Sequence, residues 1–260
     1  MRIKQCKLNI VLSDIAINGF MKRYSLEPYC DRRSPSFFYG LWGTRNVEKH
    51  RSLSIIIWRG TDIVKNRHIL SVLKKKKNIK HIAISQYIAN DLKKAGLEYK
   101  HIPLASTNIE DFNPCPLGDE IYAYLPDYNS KYFKRYGSKY VDVIQKKCKY
   151  KINISRSFKH YKRNKLIKIY KKCFCGFRFT SHDGLPNQVI EMGLMGRRSF
   201  YNGDIPGSIK WNRNDIDSIL ENIEKESKKI GTTDFDYANE VKKFIDVGEK
   251  WLYTEFWENK

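Results

Sequence analysis

Arg178-Phe-Thr-Ser-His-Asp183-Gly184-Leu185-Pro186-Asn-Gln-Val-Ile-Glu191-Met-Gly-Leu-Met-Gly196 is the stretch from which the fold is read. It follows the apolar run Cys173 to Phe179, so the spacing predicts a strand, a Gly/Pro turn and a helix. Asp183 falls at the strand's exit, and Glu191 sits eight positions later inside the helix. Gly184 can take backbone angles that other residues resist, and Pro186 suits a helix's first turn. A strand-to-helix turn at the carboxyl edge of a parallel sheet is where α/β proteins bind ligands, and the helix amino end favours phosphate. Two acids flanking that turn can accept hydroxyls of a bound sugar and a ribose. The plainer alternative is a βα unit in which both serve as turn and capping residues.

Outward from this stretch the same alternation continues. Towards the amino end, strands are expected at Leu8 to Leu12, Ser36 to Trp42, Leu53 to Trp58, His81 to Ser85 and Tyr99 to Leu104, with helical segments from Asn46 and over Gln86 to Ala95. Ser85 is a natural N-cap, Ile88, Leu92 and Ala95 share one face, and Gly96 closes that helix. Asn108 to Asp119, rich in Asn, Pro, Asp and Gly, reads as a linker. Beyond it, strands Glu120 to Leu125, Tyr150 to Ser155, Cys173 to Thr180 and Arg198 to Tyr201 alternate with helices Ser130 to Lys147, Lys159 to Lys172 and Asn187 to Met195. Asn214 to Lys229 and Tyr237 to Trp257 carry helical spacing. The pattern predicts parallel sheets with helices on both faces, in two lobes over 1–108 and 109–240. A helix over 241–260, with Trp251, Leu252, Phe256 and Trp257, is expected to pack back on the amino-terminal lobe, since an aromatic face needs a surface to bury against.

Composition narrows the function. The 260 residues are 41% hydrophobic and 13% aromatic, enough for a folded core. No apolar run is long enough to span a bilayer, and the first residues lack a signal-peptide pattern, so a cytoplasmic protein of a bacterial or viral host cell is expected. The cysteines at 6, 30, 115, 148, 173 and 175 lack metal-site spacing, and a disulfide framework is not expected. No phosphate-binding Gly-Lys-Ser/Thr loop or dinucleotide glycine fingerprint occurs, which leaves ATPase and dehydrogenase readings without support. Asp215-Ile-Asp217 and Asp234-Phe-Asp236 precede helices and read as caps, not a metal motif. Lys and Arg outnumber Asp and Glu by 49 to 28, a net charge of +21 that attracts phosphate polymers or anionic membranes. A Lys-rich composition with solvated charges is the plainer account. The charge gathers in Lys74 to Lys77 and from Lys146 to Lys172, where Lys146, Lys147, Lys149, Lys162 and Arg163 are interleaved with Tyr150, Phe158, Tyr161 and Tyr170.

Asp183-Gly184-Leu185-Pro186 and Glu191 through Gly196 resemble the acidic-x7-acidic signature of the GT-B nucleotide-sugar glycosyltransferases, the clan that includes the large retaining family 4. Asp replaces the usual first Glu, and Met192 stands where a small residue is usual. The resemblance implies two Rossmann-like lobes with a C-terminal helix crossing back. It also implies a nucleotide-sugar donor, UDP-glucose by default, without metal or cofactor. Glu191 would be the ribose ligand and Asp183 a donor-sugar contact, with Gly184, Leu185 and Pro186 shaping the turn. Trp58-Arg59-Gly60-Thr61-Asp62 is similar to an element at the cleft edge of some members. There Asp62 would contact an acceptor hydroxyl, or act as base in an inverting enzyme; helix capping is the alternative. Ile82 through Gly96 followed by Ile102-Pro103 is an architectural match. Arg156, Lys159 and Lys131 are candidates for the departing diphosphate, whose charge develops as the bond breaks. On charge, the expected acceptor is DNA with hydroxymethylated bases, as in phage DNA glucosyltransferases, with a base flipped onto aromatic side chains. Two alternatives stand beside it: a transferase acting on a lipid-linked or surface glycan at an anionic membrane, and a non-catalytic nucleic-acid-binding α/β protein.

Overall fold

Apolar runs in this chain become strands covered on both faces, as parallel sheets require. A computed structural model describes residues 1–8, 16–41, 46–60, 62–65, 67–126, 134–156, 161, 163–180 and 183–258. Strands β1 (Gln5–Leu8), β2 (Glu27–Pro28), β3 (Ser36–Tyr39), β4 (Ser54–Trp58), β5 (Ile79–Ala83) and β6 (Lys100–His101) form one sheet, ordered β2-β1-β3-β4-β5-β6. All its pairings are parallel. Helices α1 (Leu70–Lys75) and α2 (Gln86–Lys94) accompany it. Most α2 signals hold: the Ser85 hydroxyl accepts from the Ile88 N–H, Ile88 and Leu92 are buried and Gly96 takes φ +65° beyond its end, while Ala95 is the half-buried C-cap and Ala89 is the third buried residue.

A second sheet holds β7 (Glu120–Leu125), β8 (Ile152–Arg156), β9 (Cys173–Phe177) and β10 (Arg198–Phe200), all parallel in the order β10-β9-β7-β8. After β8 the chain returns to the other side of β7, so the strand order reverses between β7 and β9, the place where open α/β sheets take ligands. Helices α3 (Ser138–Lys147), α4 (Arg163–Lys171), α5 (Asn187–Leu194), α6 (Ile216–Ser227) and α7 (Phe235–Ile245) belong with it. The chain divides into one unit of Met1–Asn108, His182–Leu185 and Ile245–Lys260 and a second of Ile109–Ser181 and Pro186–Phe244.

Several boundaries differ from expectation. The first strand begins at Gln5, while 9–12 lie outside the described residues, and β3 stops at Tyr39, before Gly40 at φ +78°. Helix α3 starts at Ser138, because Gly137 precedes it in a left-handed conformation at φ +75°. Tyr237 to Trp257 is not one helix. Helix α7 ends at Ile245, Gly248 turns the chain at φ +61°, and a 3-10 turn (Lys250–Leu252) and α8 (Glu255–Glu258) follow. The aromatic residues do return to the first unit, by short pieces. Trp251 packs on Phe20, Tyr24 and Phe37 at ring separations of 6.0, 4.8 and 5.0 Å, and the Ile3 N–H donates to the Leu252 carbonyl at 2.7 Å. Among the described residues no helix is long and apolar enough to cross a membrane.

His81 on β5 gives the first unit a pH dependence. It is buried, and its Nδ1 accepts from the Trp58 indole N–H at 3.1 Å. Burial, with a smaller contribution from Lys80, lowers its pKa to about 4. An unfolded chain binds a proton near pH 6.5 that the folded one refuses, so stability present at neutral pH is lost as pH falls from about 6.5 towards 4. That loss amounts to roughly 3 kcal/mol at most. Urea midpoints measured from pH 7 to pH 4.5 should fall accordingly. His81→Gln, which still accepts from the indole and does not titrate, should flatten that slope; an unchanged slope would remove His81 as its source.

Candidate functional site

The turn between β9 and α5 is set by close packing beneath it. Gly176 lies in β9, where a Cβ would stand 2.5 Å from the Met192 sulfur. The missing side chain lets α5 approach the strand and gives Met192 the room that a small residue would not need. Gln188 ties the helix to the strand by donating to the Phe177 carbonyl at 3.2 Å. Pro186 stands one residue ahead of α5, in an extended conformation.

Glu191, on α5, is buried and held at both carboxylate oxygens. Oε1 accepts from the Arg163 guanidinium at 3.2 Å and Oε2 from the Tyr170 hydroxyl at 3.1 Å. Arg163 and Tyr170 are seven residues apart on α4, two turns along one face. Arg163 also pairs with Asp111 at 2.9 Å and lies over the Phe112 ring. The Tyr170 ring meets Tyr122 edge-on at 4.9 Å. Burial, and next the Glu191 charge, push the Tyr170 phenol well above its ordinary pKa, so it remains a donor. A carboxylate offers roughly four acceptor directions. Arg163 and Tyr170 thus aim Glu191 without by themselves using its full capacity, and the Arg163 side chain keeps 24% exposure against 7% for Glu191.

Arg163, read from sequence as a nucleic-acid contact, pairs in the structure with two carboxylates, Asp111 and Glu191. Of its companions, Lys147 pairs with Asp217 at 3.8 Å and Lys149 with Glu224 at 3.1 Å, while Lys146 is exposed. Both acids, Asp217 and Glu224, lie on α6. Lys131, Lys159 and Lys162 lie outside the described residues, and Arg156 ends β8. Arg178, at the exit of β9, sits over the rings of Tyr124 and Tyr136 at 5.4 and 4.7 Å. It opens the quoted stretch, yet spacing alone gave it no role. Asp215 caps α6 through the Ser218 N–H and Asp234 accepts from the Tyr237 N–H, the capping roles read from sequence.

Asp183, Gly184 and Leu185 pack with the first unit. Asp183 is half-buried and its Oδ1 accepts from the Gly184 N–H at 2.9 Å. Leu185 is buried. A Cβ on Gly184 would come within 2.1 Å of the Arg59 carbonyl oxygen, so this turn lies directly on the one that leaves β4. Asp62 builds that second turn. Its fully buried carboxylate accepts from the N–H groups of Arg59, Gly60 and Ile63 at 3.0 to 3.2 Å. Burial raises its pKa, and the hydrogen bonds from Gly60 and Arg59 oppose the rise. These bonds close the turn that leads into the short helix Asp62–Lys65.

Several solved structures share this chain's architecture. Sucrose-phosphate synthase from Thermosynechococcus elongatus superposes with a TM-score of 0.60 at 10% identity, over 92% of this chain and 74% of the synthase. TarM superposes with a TM-score of 0.55 at 12% identity, over 87% of this chain and 55% of TarM. The fold is GT-B. A TarM variant from S. aureus, in complex with fondaparinux, alpha-GlcNAc-glycerol and UDP, gives a GT-B match at a TM-score of 0.53 and 12% identity, over 85% of this chain and 54% of TarM. The chain thus spans little more than half of TarM's length. No protein-family profile matches it, and no curated protein matches it by sequence.

Proposed function

We propose that this chain is a glycosyltransferase that takes its sugar from a nucleoside-diphosphate sugar. One observation carries the reading: a buried carboxylate, Glu191, is held in fixed orientation by Arg163 and Tyr170 on the helix after the β9 turn, in a GT-B fold. In this reading Glu191 takes the ribose hydroxyls and Asp183 a hydroxyl of the sugar. Arg178, with Arg156, meets the diphosphate, where fixed cations stabilise the charge that develops on the leaving group. Uridine is the base put forward, since a TarM variant is held with UDP, and glucose is the default sugar. The net charge of +21 favours a polyanionic acceptor, with hydroxymethylated DNA ahead of a lipid-linked or surface glycan.

The test is a transfer assay. Radiolabelled UDP-sugars are incubated with the protein and unmodified DNA, hydroxymethylcytosine DNA, hydroxymethyluracil DNA or lipid-linked glycans. Label in a hydroxymethylated duplex alone is the expected result. Label only in lipid or glycan sinks the DNA acceptor and leaves the transferase. Absence of both transfer and donor hydrolysis, with no affinity for any nucleotide, sinks the transferase.

A further inference from the structure

Lys74–Lys77 has no part in the site above, and the topology of the first sheet shows where it leads. Its strands are parallel, so the segments that precede them meet at one edge. Arg32 and Arg33 come before β3, Lys49 and Arg51 before β4, and Lys76 and Lys77 before β5. Neighbouring strands lie about 4.8 Å apart, which makes this a row of cations about 10 Å long. Local bonds hold the row together. The Arg51 N–H donates to the Arg32 carbonyl at 2.9 Å, the Lys76 ammonium reaches the Glu48 carbonyl, and the Asn78 amide donates to the Ser52 carbonyl at 2.7 Å.

A cavity of about 650 Å³ opens among Asp31, Arg32, Arg33, Ser34 and Arg51. Its acid is engaged in its own turn. The Asp31 carboxylate accepts from the Arg33 N–H at 2.6 Å and from the Ser34 N–H and hydroxyl at 2.8 Å each. Those bonds hold its pKa at about 2, so it stays charged, but its oxygens are taken up by groups of its own turn. Glu48, the other acid beside the row, is half-buried, while Arg32, Arg33, Lys49, Arg51 and Lys77 are exposed. Cations outnumber acids along the edge.

We propose that this edge of the first unit binds the phosphodiester backbone of a nucleic acid. Guanidinium forks match phosphate oxygens two at a time, and a row of cations across three strands fits a chain of phosphates better than a single one. A lipid surface offers the same phosphates, but interfacial patches add bulky apolar side chains. Among the described residues the exposed large apolar ones are Met1, Val72, Val143, Ile230, Phe235 and Tyr253, and of these only Val72, on α1, lies on the segment leading into β5. The turns bearing Arg59 and Asp183 stand at the opposite, carboxyl edge of this sheet, so a polymer held here is tethered and not presented for chemistry. Such binding does not depend on the transferase reading.

Fluorescence anisotropy of a short labelled duplex across a salt series tests it. The parent should bind with a steep salt dependence. R32A/R33A/R51A should weaken binding about tenfold or more and make the slope of log K against log salt shallower by about three. K225A/K228A/K243A removes equal charge from exposed positions on α6, at its end and on α7, and should change neither quantity. All six positions are exposed, and a thermal melt of each variant confirms folding. Equal losses in the two triple variants, no duplex binding by the parent at low salt, or binding confined to vesicles of anionic phospholipid would each overturn the proposal.

Discussion

Replacing Arg197 with methionine is expected to unfold the second unit under conditions where the parent is stable, at a loss of more than about 4 kcal/mol. Arg197 is fully buried, and its guanidinium donates to backbone carbonyls. Nε donates to Tyr170 and Cys173 at 2.8 and 2.9 Å, Nη1 to Cys115 and Met195 at 3.3 and 2.5 Å, and Nη2 to Pro116 and Lys171 at 2.7 and 3.4 Å. Tyr170 and Lys171 close α4, whose last carbonyls lack partners within the helix. Methionine fills similar volume but leaves several buried acceptors empty, each at about 1–3 kcal/mol. Trp211 is the one tryptophan of the second unit, so its emission during a urea titration reads that unit. A midpoint within error of the parent's would show that the ring of carbonyls carries no stability.

Glu191→Gln is expected to weaken UDP binding by about ten- to a hundredfold, the worth of one charge-assisted hydrogen-bonding site at roughly 1.5–3 kcal/mol. Glutamine keeps the shape and an oxygen for the Tyr170 hydroxyl, and Arg163 keeps Asp111. Folding should therefore survive while affinity falls. Titration calorimetry with UDP, run beside a urea midpoint, separates the two. Undiminished affinity for every nucleotide tested, in a folded variant, removes Glu191 from the site and with it the main support for the proposed donor.

The βα unit around Asp183 and Glu191 was legible because its signals are local: an apolar run, a Gly/Pro turn and a helical repeat within some twenty residues. Ser85 and Gly96 bounded their helix for the same reason. What escaped was long-range. Arg163 and Glu191 are 28 positions apart, and no pattern says that a cation in a basic stretch will turn inward to meet an acid. The seven-residue interval between Arg163 and Tyr170 was the available hint. β2 spans two residues, too few to carry a period. The break after Ile245 was hidden by apolar residues that continue at helical spacing across it, and a glycine alone among them is weak punctuation. Asp62 offered two chemistries by type, and no sequence pattern shows that its carboxylate meets three N–H groups of its own turn.

The first unit is assembled from distant pieces of chain, and Trp251 lies at the centre of its aromatic cluster. During synthesis on the ribosome, the second unit's strands and helices are complete once Phe244 has left the exit tunnel. The first unit, begun earlier, must wait with Phe20, Tyr24 and Phe37 lacking their partner until Trp251 follows. Of the two units, the one whose translation begins first is therefore the one that closes last. Its exposed aromatic surface during that interval is where a chaperone would act.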